Sequence, residues 1–264
     1  MWSLHKIVFL WVSVFALLSA MAIQVATNLF NDAIDFKKGA DKEDRIGPVR
    51  VTQSGLINER RVFFVANLFL LIALLLGVPL VLRGGLPILV VGIVSLFLAY
   101  GYTGGPYPLA YKGLGDLFVL LFFGLIATGG VYYLQSLTMD LPSLISGLQV
   151  GLLAAVLIAI NNTRDLEQDA RVNKKTLQVR LGLNGARLLI GFYAGLPFLL
   201  NFYWLSINKF WAFLLPLLLL PLALSLVTRV FKTSPSAKYN QFLAQSALLH
   251  LGFGLLLSLG LILG

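Results

Sequence analysis

Asn28, Asn31, Asp32 and Asp35 are spaced three and four residues apart, which on a helix gathers their side chains on one face. Two carboxylates so placed repel each other and favour a cation between them. A second run, Asn161-Asn162-Thr163-Arg164-Asp165-Leu166-Glu167-Gln168-Asp169, has Asn161, Asp165 and Asp169 at intervals of four, so these too are expected along one helical face. The chain has no cysteine and only two histidines, His5 and His250, so thiolate chemistry, disulfides, His-based metal sites and Ser/His/Asp triads lack their parts. Oxygen donors alone point to a hard cation, and Mg²⁺ is typically held by one or two carboxylates plus phosphate oxygens. The expected ligands are Asp32, Asp35, Asp165 and Asp169. Asn28, Asn31, Arg50, Arg164 and Lys174 are the expected contacts to a diphosphate, where cations neutralise the phosphate oxygens.

A loop between the two runs adds aromatic rings beside a cation: Tyr102-Thr-Gly-Gly-Pro-Tyr107-Pro-Leu-Ala-Tyr111-Lys112-Gly-Leu-Gly-Asp116. Tyrosines near a membrane surface often form an interfacial belt. Their ring faces also stabilise positive charge, which gives Tyr107 and Tyr111 a candidate catalytic role around a developing carbocation, and Lys112 beside them is a candidate catalytic cation that neutralises phosphate oxygens.

These residues need a scaffold, and the composition dictates which. Hydrophobic residues make up 58% of the chain and charged residues 12%, about half the charge of an average soluble domain. Apolar stretches of bilayer-spanning length read at 7–27, 62–82, 84–103, 114–134, 141–161, 188–205, 210–227 and 242–264. An all-α, polytopic bundle of eight transmembrane helices is therefore expected, since helices satisfy their own backbone in lipid. It is read as one membrane domain, 1–264, built of two pseudo-repeats at about 1–103 and 104–264: Asp32 and Asp165 are separated by four spans, so both runs end on the same face.

The odd-numbered loops hold 17 of the 20 basic residues, which places them in the cytoplasm. Ten of the eleven acids share that face, a partition that the positive-inside rule does not require and that a polar site explains. The net charge of +9 is accounted for by this topology and by anionic lipid, and nucleic acid is not an expected partner. Oligomeric state is not readable. With eight spans, Met1 falls on the opposite side from the acidic loops.

The two acidic runs together resemble the UbiA-type intramembrane prenyltransferases. That family's motifs, NDxxD with a further Asp and then DxxxD, read here as Asn31-Asp32-Ala-Ile-Asp35 with Asp41 beyond, and Asp165-Leu-Glu-Gln-Asp169. Within the family, Asp35-Phe-Lys-Lys-Gly-Ala-Asp41, Gly47-Pro-Val-Arg50-Val-Thr-Gln-Ser-Gly55 and Lys174-Lys-Thr-Leu are similar to the group that prenylates 1,4-dihydroxy-2-naphthoate in menaquinone synthesis. The resemblance implies Mg²⁺-dependent transfer of a polyprenyl group from its allylic diphosphate to that aromatic acceptor, with loss of CO₂, in the bacterial cytoplasmic membrane. It also implies nine helices, of which the first is expected to precede the eight visible here. Another aromatic acceptor (homogentisate, 4-hydroxybenzoate or a tetrapyrrole) is the alternative within the same chemistry. A cation or proton transporter is the alternative outside it, although its ionisable residues belong near the midplane.

Overall fold

The structure, a computed structural model, describes residues 8–39, 46–47 and 50–264. Asp41, the further Asp of the first motif, lies outside the described residues. Among the described residues, nine helical segments make up most of the structure: α1 (Leu10–Lys37), α2 (Glu59–Gly101), α3 (Gly115–Ser136), α4 (Leu141–Arg164), α5 (Leu166–Arg171), α6 (Leu177–Ser206), α7 (Phe210–Leu217), α8 (Leu220–Lys232) and α9 (Tyr239–Leu263). Among the described residues, six helices are long and apolar enough to cross a membrane, or seven if α7 and α8, bent by 41° to each other, make one broken span. The chain is an all-α, polytopic membrane bundle. Large apolar side chains such as Leu17, Phe64, Leu82, Phe97, Leu188 and Leu251 stand exposed on its outside, the arrangement a lipid solvent favours.

The expected count of eight differs from this one chiefly at α2, where two expected spans are joined in one 43-residue run. Gly85 interrupts it with φ 65°, a backbone conformation that glycine adopts readily. The Phe30 ring packs against both Phe63, 5.8 Å away, and Tyr100, 5.5 Å away. A straight helix would hold those two residues roughly 55 Å apart, so the run folds back at Gly85 and its two limbs are antiparallel. The near end of the reversal is tied down by Arg83, which donates to the carbonyls of Leu134 and Gln135 and covers the Phe9 ring at 4.1 Å.

Packing is close where glycine permits it. An added Cβ on Gly151 of α4 would lie 2.6 Å from the Leu120 carbonyl oxygen, and one on Gly124 of α3 would lie 2.5 Å from the Gly151 Cα. Small residues let backbones approach in this way inside membranes. The facing stretch Leu120–Gly129 is wound as π-helix, a form often found at functional sites. Gly151→Val is therefore expected to destabilise the protein by about 1–3 kcal/mol, the usual cost of overpacking; thermal unfolding in detergent micelles checks this.

The largest core lies in the second half, where Leu153, Val156 and Ile160 of α4 meet Ile190, Phe198 and Trp204 of α6, Leu226 of α8 and Phe253 of α9. Its buried polar groups are paired: Gln149 donates to the Pro197 carbonyl and to Asn201, and accepts from the Trp204 indole at 3.0 Å.

Candidate active site

α1 continues well past its apolar stretch and carries Asn31, Asp32 and Asp35 as helical residues. Asp32 and Asp35 are buried. Asp32 accepts hydrogen bonds from the backbone N–H groups of Val51 and Thr52, at 3.1 and 3.3 Å, which pins the following loop to the helix. Asp35 accepts one from the Tyr111 hydroxyl at 2.8 Å and pairs with Arg50 at 3.3 Å. Asn31 accepts from the Thr103 hydroxyl, whose residue in turn offers its carbonyl to Lys38 at 2.7 Å. Asn28 is exposed and bonds to Gln24 instead of joining this group.

The second run departs from its expected geometry. The helix is interrupted between Asn161 and Asp169: α4 stops at Arg164, and Asp165 (φ −94°, ψ 11°) leaves helical geometry before α5, while the N–H groups of Asp165 and Asp169 still bond to the carbonyls four residues back. The buried Arg164 guanidinium lies at this break. It grips both Asp165 carboxylate oxygens at 2.7 Å and also donates to Asn161 at 2.9 Å and to Asn240 of α9 at 2.6 Å. One turn on, Asp169 pairs with Lys174 through Oδ1 at 3.3 Å, while its buried Oδ2 has no hydrogen-bond partner.

The two runs meet. A small cleft of about 80 Å³ is lined by Asn31, Asp35 and Arg50 from the first half and by Asn161, Asn162 and Lys174 from the second, with Tyr102, Thr103 and Asp116 between them. Burial pushes the Asp169 carboxyl up to about 6; Lys174 opposes the shift, and the charges of Asp165 and Asp35 add to it. Burial works against the Lys174 charge, yet Asp169 and Asp35 outweigh it and raise this ammonium above its ordinary value. Lys174 thus stands between the acids of the two halves. Burial likewise raises the Tyr102 phenol, reinforced by Asp116, Asp35 and Asp169, so that it remains a donor.

A profile of the UbiA prenyltransferase family matches residues 1–253. The chain belongs to the UbiA prenyltransferase family. It is 36% identical over 267 residues to a 1,4-dihydroxy-2-naphthoate octaprenyltransferase of Haemophilus influenzae, covering 96% of this chain and 84% of the relative. The enzyme of that name in Escherichia coli is 37% identical over 214 residues, 77% of this chain and 68% of the relative. A 2-carboxy-1,4-naphthoquinone phytyltransferase of Synechocystis is 32% identical over 249 residues, with 92% and 79% covered.

Not every residue singled out in the UbiA motifs and their surroundings lines the cleft. Tyr107 is 60% exposed and stacks under Lys112, whose ammonium lies 5.2 Å from the ring centre, so this pair sits at the rim. Tyr111 is nearer: Lys38 covers its ring at 4.1 Å and Lys174 at 5.8 Å while its hydroxyl holds Asp35. Asp116, Asn162, Gln178 and Asn240 were not singled out by spacing, and only the tertiary fold brings them to the site.

The donor set suits Mg²⁺ completed by a phosphate ligand. Among the described residues, no three acids come together as a preformed metal cage. One or two carboxylates plus substrate oxygens is the arrangement Mg²⁺ prefers, and the orphaned Asp169 Oδ2 offers a buried anionic oxygen for it. This yields a pH prediction. Asp169 loses its anionic form as pH falls through about 6. kcat/KM for a prenyl diphosphate is therefore expected to drop by about tenfold per unit below that pH. A flat profile from pH 7 to 5 contradicts it.

Proposed function

We propose that this chain transfers a polyprenyl group from an allylic diphosphate to 1,4-dihydroxy-2-naphthoate with loss of CO₂, giving a demethylmenaquinone-type quinone precursor. The observation that carries the reading is the shared cleft, where Asp35 of the first acidic run and Lys174 beside the second face one another. The naphthoate comes from the relatives' names, above all the Haemophilus enzyme matched along most of both chains.

In this reading Asp32, Asp35, Asp165 and Asp169 would hold Mg²⁺, which when bound supplies Lewis-acid stabilisation of the leaving diphosphate. The chain's own residues do the rest. Arg50, Lys174 and Arg164 already pair with three of these carboxylates, so they stand ready to move their charge onto phosphate oxygens, where it stabilises the leaving group. Asn31 adds a polar contact from the cleft wall, while Asn28, bonded to Gln24 on the outside, is left out of the site. The ring of Tyr111, with Tyr107 further out, screens the allylic cation from water, while Lys112 assists in neutralising the diphosphate. The isoprenoid tail gains roughly 0.8 kcal/mol per buried CH₂, which suits a site set at one end of an apolar bundle.

The same proposal covers the architecture. The antiparallel limbs of α2 and the broken pair α7–α8 support eight crossings. The matching positions of the two acidic runs, each where α1 or α4 reaches the cleft, support two pseudo-repeats within one domain. The basic loops support a cytoplasmic site in a bacterial membrane.

Vesicles carrying the protein, labelled prenyl diphosphate, Mg²⁺ and a panel of acceptors test the reaction. The expected product is the prenylated, decarboxylated naphthalenediol. Turnover only with 4-hydroxybenzoate, homogentisate or a tetrapyrrole would move the chain to another acceptor, and ion flux without any prenylated product would refute the enzyme reading.

A further inference from the structure

Asp116 opens α3 at the cleft, is 1% exposed, and belongs to neither acidic run. Its Oδ2 accepts a hydrogen bond from Gln178 Nε2 at 2.7 Å, and Gln178 Oε1 accepts one from Asn162 Nδ2 at 3.2 Å. All three side chains are buried, so this chain of amides fixes the orientation of the carboxyl group. Its other oxygen, Oδ1, is buried with no hydrogen-bond partner. A buried carboxylate oxygen without a donor is costly. Unlike Asp35, Asp165 and Asp169, Asp116 has no ion pair among the described residues. Its titratable neighbours are two phenols: Tyr102 from the loop before α3, and Tyr193 from α6, whose hydroxyl is directed at this carboxyl group as a potential donor without closing a hydrogen bond to Oδ1.

The prenyl diphosphate has no hydroxyl to offer this oxygen. The aromatic acceptor has. We infer that Asp116 is the catalytic residue that binds the acceptor's ring hydroxyl and takes its proton, with Gln178 and Asn162 as positioning residues. This rests on the reaction proposed above.

The step balances without a further reactant. As the hydroxyl proton passes to Asp116 Oδ1, the ring carbon bearing the carboxylate forms its bond to the allylic carbon. The allylic C–O bond breaks, and its electron pair leaves on the diphosphate. Loss of CO₂ returns the C–C electron pair to the ring, which becomes aromatic again as the proton goes back from Asp116 to the ring oxygen.

Asp116→Asn, assayed in vesicles with Mg²⁺, prenyl diphosphate and the dihydroxynaphthoate, is expected to lower kcat by about a hundredfold or more. The deficit should shrink as pH is raised, because the acceptor hydroxyl then ionises unaided. Mg²⁺-dependent release of diphosphate without acceptor should fall far less than transfer does. Unchanged transfer overturns the proposal, and so does loss of diphosphate release, which would make Asp116 a metal ligand. If the Asn variant does not fold, Gln178→Leu keeps the carboxylate but removes its donor. It is expected to lower kcat by about tenfold with KM for prenyl diphosphate unchanged, and a wild-type kcat there overturns the proposal. If wild type uses a different aromatic acceptor, the naphthoate reading fails while the same variants still test Asp116 on that acceptor.

Discussion

Asp169→Asn is expected to lower turnover by about a thousandfold while leaving the fold in place. The neutral amide keeps the size of the side chain and removes the anionic oxygen, and stabilisation of the leaving diphosphate by metal and charge is worth several kcal/mol. Asp169 is the acid on which the two halves converge: Lys174 pairs with it, and the charges of Asp165 and Asp35 reach it. Stability should fall modestly, because the amide leaves the buried Lys174 ammonium without its nearest carboxylate, a loss offset in part because burial already disfavours the Asp169 charge. Steady-state kinetics beside thermal unfolding separates the two effects. A variant with near-normal turnover removes Asp169 from the site.

Arg164→Met is expected to act in the opposite way, through stability. Its guanidinium is 1% exposed and satisfies Asp165, Asn161 and Asn240 together, linking α4 to α9. Removing it strands the Asp165 carboxylate with little water, and breaking a buried pair from one side costs about 3–5 kcal/mol. The double variant Arg164→Met/Asp165→Asn should recover part of that loss, since the stranded charge is gone. Additive losses in a double-mutant cycle would show the pair to be uncoupled. Arg164→Lys should not rescue, because an ammonium cannot make the two-pronged contact.

What the sequence made legible follows from how local each signal is. Asn31, Asp32 and Asp35 lie on an uninterrupted helix, so their spacing reports their geometry. The Asn161–Asp169 spacing predicts a helix equally well, yet the helix is interrupted at Asp165, with no Gly or Pro to announce it, where Arg164 grips the carboxylate. Hydropathy separates two spans around Gly84 and Gly85, and the fold reverses there, although the helical hydrogen bonding reads as one run. Tyr107 and Lys112 look like site residues by their loop, but each satisfies the other at the rim. Asp116 shows the converse: a single acid whose partner Gln178 is 62 residues away carries no local pattern, and only the packing of α3 against α4 and α6 exposes it.

The central claim is that both acidic runs form one Mg²⁺-dependent diphosphate site. Binding of a non-hydrolysable prenyl thiodiphosphate to the reconstituted protein, titrated with Mg²⁺, tests it most directly in wild type, Asp35→Asn and Asp169→Asn. Mg²⁺-dependent binding is expected in wild type and is expected to be lost in each variant, one from either half. Binding that ignores Mg²⁺, or that survives intact in either variant, would contradict it.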